Sequence, residues 1–76
     1  MMNNQNTRNG VWDRIAGSWK QVSGHARTQW GKLTDDDMQQ IKGQRDVLVG
    51  KLQERYGYAK EEADKQAANW ADTLKW

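Results

Sequence analysis

Residues 33–57 read LTDDDMQQIKGQRDVLVGKLQERYG, and this stretch decides the fold because it contains the clearest helix start in the chain. Thr34 is followed by Asp35, Asp36 and Asp37. A threonine hydroxyl at an N-cap accepts a backbone N–H that lacks a partner in the first turn, and carboxylates in that turn face the positive end of the helix dipole. Asp37, three residues after Thr34, approximates the acidic member of a capping box. The pattern predicts a helix that begins directly after Thr34.

The same stretch has an apolar stripe that glycine interrupts. The spacing of this stripe is typical of a helix and continues in phase across Gly43, so the segment forms either one bent helix or two helices joined there. We favour two helices, at about 35–42 and 45–56, because Gly43 supplies a stop signal. Gly57 lies where a helix ends in a left-handed residue. The stripe consists of Met38, Ile41, Leu48, Val49, Leu52 and Tyr56.

A second amphipathic segment precedes this stretch, over about residues 11–32. Its apolar positions recur every three or four residues, which predicts one helix, and its glycines fall nearly opposite them. Gly17 and Gly24 thus remain unexplained, as does Gly50 downstream, since an interior glycine costs about 0.5–1 kcal/mol relative to alanine. Alanine at Gly17 or Gly24 should raise stability if that face is solvent, and lower it if a neighbour packs there. The stripe consists of Trp12, Ile15, Trp19, Val22, Ala26, Trp30 and Leu33.

The last segment is rich in alanine and also has helical periodicity. With short links between them, four helices predict two antiparallel α-hairpins packed across each other, an all-α four-helix bundle with one core. We expect residues 1–10 to form a flexible polar tail and residues 11–76 to form a single helical domain. The stripe of the last helix consists of Ala59, Ala63, Ala67, Trp70 and Leu74.

Composition limits the classes of function. The chain has 76 residues, one histidine and no cysteine, so thiolate metal sites are excluded and a reducing, cytoplasmic location fits. No apolar run exceeds three residues, so we expect neither a transmembrane helix nor the core of a signal peptide.

No arrangement of residues predicts catalysis. His25 falls on the polar side of the first helix without an acidic partner one turn away. The three consecutive aspartates lack the alternating spacing of a calcium loop. We therefore expect no enzymatic activity, no catalytic, cofactor-binding or metal-ligating residue, no cofactor and no small-molecule substrate.

Charge distribution raises an anionic partner as an alternative. Residues 1–33 carry five basic residues and one acidic residue, whereas residues 34–76 carry seven basic and nine acidic residues. A basic half can meet an anionic surface. The candidate contacts are Arg14, Lys20, Arg27, Lys32 and Arg45.

Residues 35–56 also have the spacing of a helix-turn-helix unit, with Gly43 at the turn. The second helix would offer Gln44, Arg45, Lys51 and Arg55 to a groove of DNA. The unit carries at least as many acidic as basic residues, and phosphate binding needs a positive docking face. A simple turn in a helical bundle explains the pattern equally well, so nucleic-acid binding is the alternative and is not favoured.

The first helix also has the basic, tryptophan-bearing profile of an interfacial membrane helix. Its apolar stripe is better explained as the centre of the bundle, so membrane binding is disfavoured. The favoured partner is therefore an unidentified protein or a second copy of the chain.

Two long segments resemble one known family. They are SWKQVSGHARTQWGKLTDDDM at 18–38 and IKGQRDVLVGKLQERYGYAKEEADKQAANW at 41–70, and they are similar to the CsbD-like family of small bacterial proteins. The resemblance covers about residues 17–76. It implies a SAM-domain-like fold, in which two α-hairpins pack roughly orthogonally, and a general stress-response role. It brings no catalytic or ligand-binding residues.

Overall fold

The computed structural model describes the backbone of residues 3–74 and the side chains of residues 10–74. Within this range the chain is all-α and has no strand, which confirms the predicted class. It contains five helices where four were predicted, while the packing of two orthogonal hairpins stays a prediction. The helices are α1 (Asn3–Gly17), α2 (Trp19–Gln29), α3 (Asp35–Ile41), α4 (Arg45–Tyr56) and α5 (Lys60–Thr73).

The fifth helix arises from a break at Ser18 in the segment predicted as one helix. Ser18 has φ −113° and ψ 23°, outside the helical region, and α2 begins at the next residue. Gly–Ser pairs are common sites of helix kinks, and here Gly17 directly precedes the break. Few hydrogen bonds are lost, because the Ser18 N–H still donates to the Arg14 carbonyl at 2.9 Å. The apolar stripe therefore continues across Ser18, although the helix itself is interrupted there.

The backbone of α1 begins at Asn3, within the stretch expected to be a tail. The flexibility of residues 1–10 and the boundary of the domain at residue 11 stay predictions. Residues 1–2 of that tail and residues 75–76 of the predicted domain lie outside the described residues.

The predicted capping box at Thr34 is confirmed. The Asp37 N–H donates to the Thr34 hydroxyl at 3.0 Å, and the Thr34 N–H donates to Asp37 Oδ2 at 3.0 Å. The two bonds satisfy two backbone donors at the start of α3, which fixes where this helix begins.

Gly43 separates α3 from α4, which confirms the two-helix interpretation. Its φ is +80°, and Lys42 before it is also left-handed at +48°. A Cβ atom at position 43 would lie 2.5 Å from Ala16 Cα, so α1 packs directly on the backbone of this turn. Gly57 ends α4 with φ +72°, and its N–H donates to the Gln53 carbonyl at 2.9 Å, as expected for a C-cap.

One core joins the helices, and the predicted stripes supply most of it. The tryptophans at 12 and 19 are half-buried at its edge. Trp19 also ties α2 to α3, since its Nε1–H donates to the Met38 carbonyl at 2.8 Å. Ala59 is exposed, so its predicted place in the stripe of the last helix is wrong. The core consists of Ile15, Val22, Ala26, Trp30, Leu33, Met38, Ile41, Leu48, Val49, Leu52, Ala63, Ala67, Trp70 and Ala71.

The structure shows whether the interior glycines face solvent or a packed neighbour. A Cβ atom at Gly17, Gly24 or Gly50 would meet nothing within 4 Å, so these positions face open space. Gly24→Ala and Gly50→Ala should each raise the free energy of unfolding by about 0.5–1 kcal/mol, because alanine loses less backbone entropy in a helix. Urea denaturation followed by tryptophan fluorescence measures the change.

Gly43→Ala is the matched comparison and should lower the free energy of unfolding. Its left-handed φ disfavours any side chain, and the added methyl group collides with the α1 backbone. Loss of stability in Gly24→Ala, or a neutral Gly43→Ala, would contradict this description of the two surfaces.

A candidate binding groove

An open groove of about 930 Å³ lies between α1, the turn before α4 and the second half of α5. We call it the α1–α5 groove. Its floor consists of the apolar or small residues Val11, Trp12, Ala16, Gly43, Ala68 and Ala71. Its rim consists of the polar residues Asp13, Gln44, Arg45, Asp46 and Asp72.

Trp12 is the largest residue of the floor and is held from behind by the core. Its ring centroid lies 6.2 Å from that of Trp70, which in turn lies 5.3 Å from that of Trp30. Tilted aromatic pairs at such distances are favourable beyond the area they bury. Trp12 remains half-buried and lines the groove, so an aromatic ring supported by the core borders the open space.

The floor of the groove has small residues on both sides. Ala16 lies against Gly43 at backbone distance, so no side chain rises from position 43. On α5, Ala68 and Ala71 lie three positions apart and therefore share a helix face. These residues leave room for a partner's side chains above the floor.

The rim is acidic although the chain as a whole has a formal net charge of +2. The carboxylates of Asp13, Asp46 and Asp72 are exposed, and within the described residues none of them has an ion-pair partner. Arg45, the one cation among the described rim residues, is already engaged, since its Nη2 lies 3.8 Å from Asp64 Oδ1. A cationic partner would therefore find uncompensated negative charge here.

The five candidate anion contacts come from four parts of the chain, and three of them already contact other side chains. The Arg27 guanidinium pairs with the Asp35 carboxylate. Lys32 Nζ lies 5.1 Å from the centre of the Tyr56 ring, a cation–π contact. Arg45 lies in the acidic rim. They are distributed over α1, α2, the α2–α3 link and α4, as Arg14, Lys20, Arg27, Lys32 and Arg45, and their role toward an anionic partner stays a prediction.

Three of the four side chains assigned to a DNA-reading helix form ion pairs within the protein, the first being Arg45 with Asp64. Lys51 and Arg55 are directed to Asp37, at 3.5 Å from Oδ1 and 2.9 Å from Oδ2 respectively. The helix-turn-helix spacing is thus the spacing of a turn within a bundle, and nothing in this geometry favours nucleic acid.

Asp37 is a buried carboxylate paired with two partly exposed basic side chains, an ion cluster that the sequence predicts only in part. The residue is 1% exposed, and its carboxylate accepts from Arg55 Nε at 2.9 Å, from Arg55 Nη2 at 3.0 Å and from the Thr34 N–H. These donors, with that guanidinium foremost, hold the pKa of Asp37 far below its ordinary value against the opposing effect of burial. The same contact raises the pKa of Arg55.

The sequence did contain a signal for this cluster, because Lys51 and Arg55 are four residues apart on one face of α4. The carboxylate oxygens are occupied by donors of the chain itself. Asp37 therefore clamps α3 to α4 and offers nothing to an external ligand.

Three further features of the described residues concern metal binding, the histidine and membrane crossing. No group of three or more histidine, cysteine or acidic residues in this range is placed to hold a metal ion. His25 is exposed at the edge of a smaller groove of about 520 Å³. Within residues 3–74, no helix combines the length and apolar character that crossing a bilayer requires.

Comparison with known proteins agrees with the resemblance in the sequence. A family model described as CsbD-like matches residues 13–65. A UPF0337 protein of Pectobacterium atrosepticum is 56% identical over 64 residues, which cover 84% of this chain and 93% of that protein. The UPF0337 protein YjbJ of Escherichia coli K12 is 59% identical over 58 residues, 76% of this chain and 84% of that protein. A UPF0337 protein of Rhodopseudomonas palustris is 56% identical over 64 residues, 84% of this chain and 97% of that protein.

Asp37→Asn should lower the free energy of unfolding at pH 7 by about 2–4 kcal/mol, because it removes the charge that the cluster is built around and weakens the helix cap. The loss should depend on pH. Since the folded-state pKa of Asp37 is depressed, its stabilisation is complete above the ordinary value of about 4 and disappears as the pH falls further. Urea denaturation of both proteins should show the gap shrinking below about pH 4.

Asp36→Asn is the control, since Asp36 is exposed in the same helical turn. It should change the free energy of unfolding by no more than about 0.5 kcal/mol. Equal losses in the two variants, or a gap that persists in acid, would show that the buried cluster does not stabilise the fold.

Proposed function

The chain belongs to the CsbD-like family of bacterial proteins, and from that premise we propose that it is a cytoplasmic stress-response protein that catalyses no reaction and acts by binding a partner protein through the α1–α5 groove. Family membership supports the stress-response role. The groove supports the mode of action.

The observation that carries the mode of action is the half-buried Trp12 on the groove floor. Tryptophan is enriched among the residues that dominate binding energy at protein interfaces, especially where it is rigidly held. Trp12 is supported by Trp70 behind it and is bordered by small residues in front. A preformed aromatic anchor of this kind loses little side-chain entropy when a partner covers it.

A protein partner accounts for this surface better than nucleic acid does. The groove presents apolar area within an acidic rim, and phosphates would be repelled there. The five basic candidates are distributed over four parts of the chain, and three of them already contact acidic or aromatic side chains.

The test is genetic rescue with a blocked groove. A deletion strain should survive osmotic upshift and stationary phase less well than its parent, and the wild-type gene should restore survival. Ala68→Arg places a long cation on the groove floor, where it fills the space and compensates the rim, so this variant should not rescue.

Asn69→Arg is the matched control, because it adds the same side chain at the next, exposed position, which does not line the groove. It should rescue as well as the wild type. Thermal unfolding must show both variants folded. Normal survival of the deletion strain would refute the stress-response role, whereas rescue by Ala68→Arg would refute binding through the groove.

A further inference from the structure

We propose that the α1–α5 groove takes a cationic amphipathic segment of a partner protein, with apolar side chains on the Trp12 floor and lysine or arginine side chains at the acidic rim. The inference rests on the proposed function and names the chemistry of the partner at the same groove.

The shape of the groove favours a segment of polypeptide over a small ligand. Its volume of about 930 Å³ is near the top of the range of small-molecule pockets, about 300–1,000 Å³. Small-molecule pockets enclose most of the ligand, however, whereas this groove is open and bordered by exposed residues such as Ala68 and Asp72. An amphipathic helix that lays one face into a groove presents apolar side chains one turn apart, which suits such a floor.

The charge of the rim selects a cationic partner. Asp13, Asp46 and Asp72 come from α1, α4 and α5, so three separate elements bring carboxylates to one groove. Within the part of the lining that the structure describes, Arg45 contributes the one positive charge, and its Nη2 lies 3.8 Å from Asp64 Oδ1. Complementary charge at a rim speeds association and rejects partners of the wrong sign. Since these carboxylates are exposed, the attraction should weaken as salt is added.

A second copy of this chain is a poorer occupant. Two basic side chains of its N-terminal half are occupied within the chain, with Arg27 paired to Asp35 and Lys32 over the Tyr56 ring. Inserting them into another copy's groove would break these contacts first. The formal net charge of this chain is also only +2, which matches an acidic rim less well than a strongly cationic segment of another protein does.

The experiment is an NMR titration of the ¹⁵N-labelled full chain with a short lysine–leucine peptide whose leucines repeat in helical register. The Trp12 indole N–H signal, assigned with Trp12→Phe, reports on the groove floor. We expect saturable shifts of this signal at low salt, and weaker binding at high salt. The matching glutamate–leucine peptide should leave the signal in place.

Two pairs of substitutions test the rim. Asp46→Asn with Asp72→Asn removes two rim charges and should weaken binding of the lysine–leucine peptide about fivefold, since each exposed ion pair contributes modestly. Asp36→Asn with Glu61→Gln removes two exposed charges that do not line the groove. This control should change the affinity less than twofold, as expected when no contact is lost.

Several results would overturn the inference. The glutamate–leucine peptide could bind as tightly as the lysine–leucine peptide, or the two pairs of substitutions could weaken binding equally. The Trp12 indole signal could also stay unshifted when the lysine–leucine peptide is added. A larger shift of the Trp12 indole signal with a short DNA duplex would show that the groove binds nucleic acid instead of a protein segment. Movement of the signal with protein concentration alone, accompanied by dimers in sedimentation, would make a second copy the occupant. If the lysine–leucine peptide fails while Ala68→Arg still abolishes rescue, the partner is not cationic and the proposed function stands.

Discussion

The carboxylate of Asp37 is the interaction on which the rest of the structure depends. A buried charge is tolerated only when donors surround it, and here those donors are the Thr34 N–H and the side chains of Lys51 and Arg55. The carboxylate thereby fixes where α3 begins and how it lies against α4. That arrangement defines the turn between the two helices, and the turn carries Gly43, on which α1 packs. The position of α1 and the groove beside it thus follow from one cluster of charges.

The features of this fold that the sequence predicts are those whose controlling interaction is local. The helix start at Thr34, the turn at Gly43 and the end of α4 at Gly57 depend on caps and backbone conformations that involve a few consecutive residues. The apolar stripes also predicted most of the core, because each stripe follows from the repeat of a single helix. The break at Ser18 was not predicted because the apolar stripe continues in phase across it, and a change of backbone conformation at one residue leaves no trace in that periodicity.

The candidate site could not be predicted from the sequence, because its residues are far apart along the chain. Residues 1–33 are basic in total. Asp13, the one acidic residue among them, nevertheless lies at the same rim as Asp46 and Asp72. Asp37 was recognised as a capping residue and not as an ionic clamp, since its pairing with Arg55 depends on how two helices pack. The sign of charge at a surface is a tertiary property, and segment totals do not determine it.

The groove and its charge arise from the same contacts that hold the bundle together. Because α1 approaches the α3–α4 turn at backbone distance, position 43 must be glycine, and a glycine leaves the floor without a side chain to fill it. The ion pair with Asp64 draws the charge of Arg45 toward α5, so the rim cation is compensated while the rim carboxylates are not. Trp12 contacts Trp70 on the core side and still lines the groove. An open, apolar and acidic groove is therefore what this packing leaves at the surface, and any partner must match both properties at once.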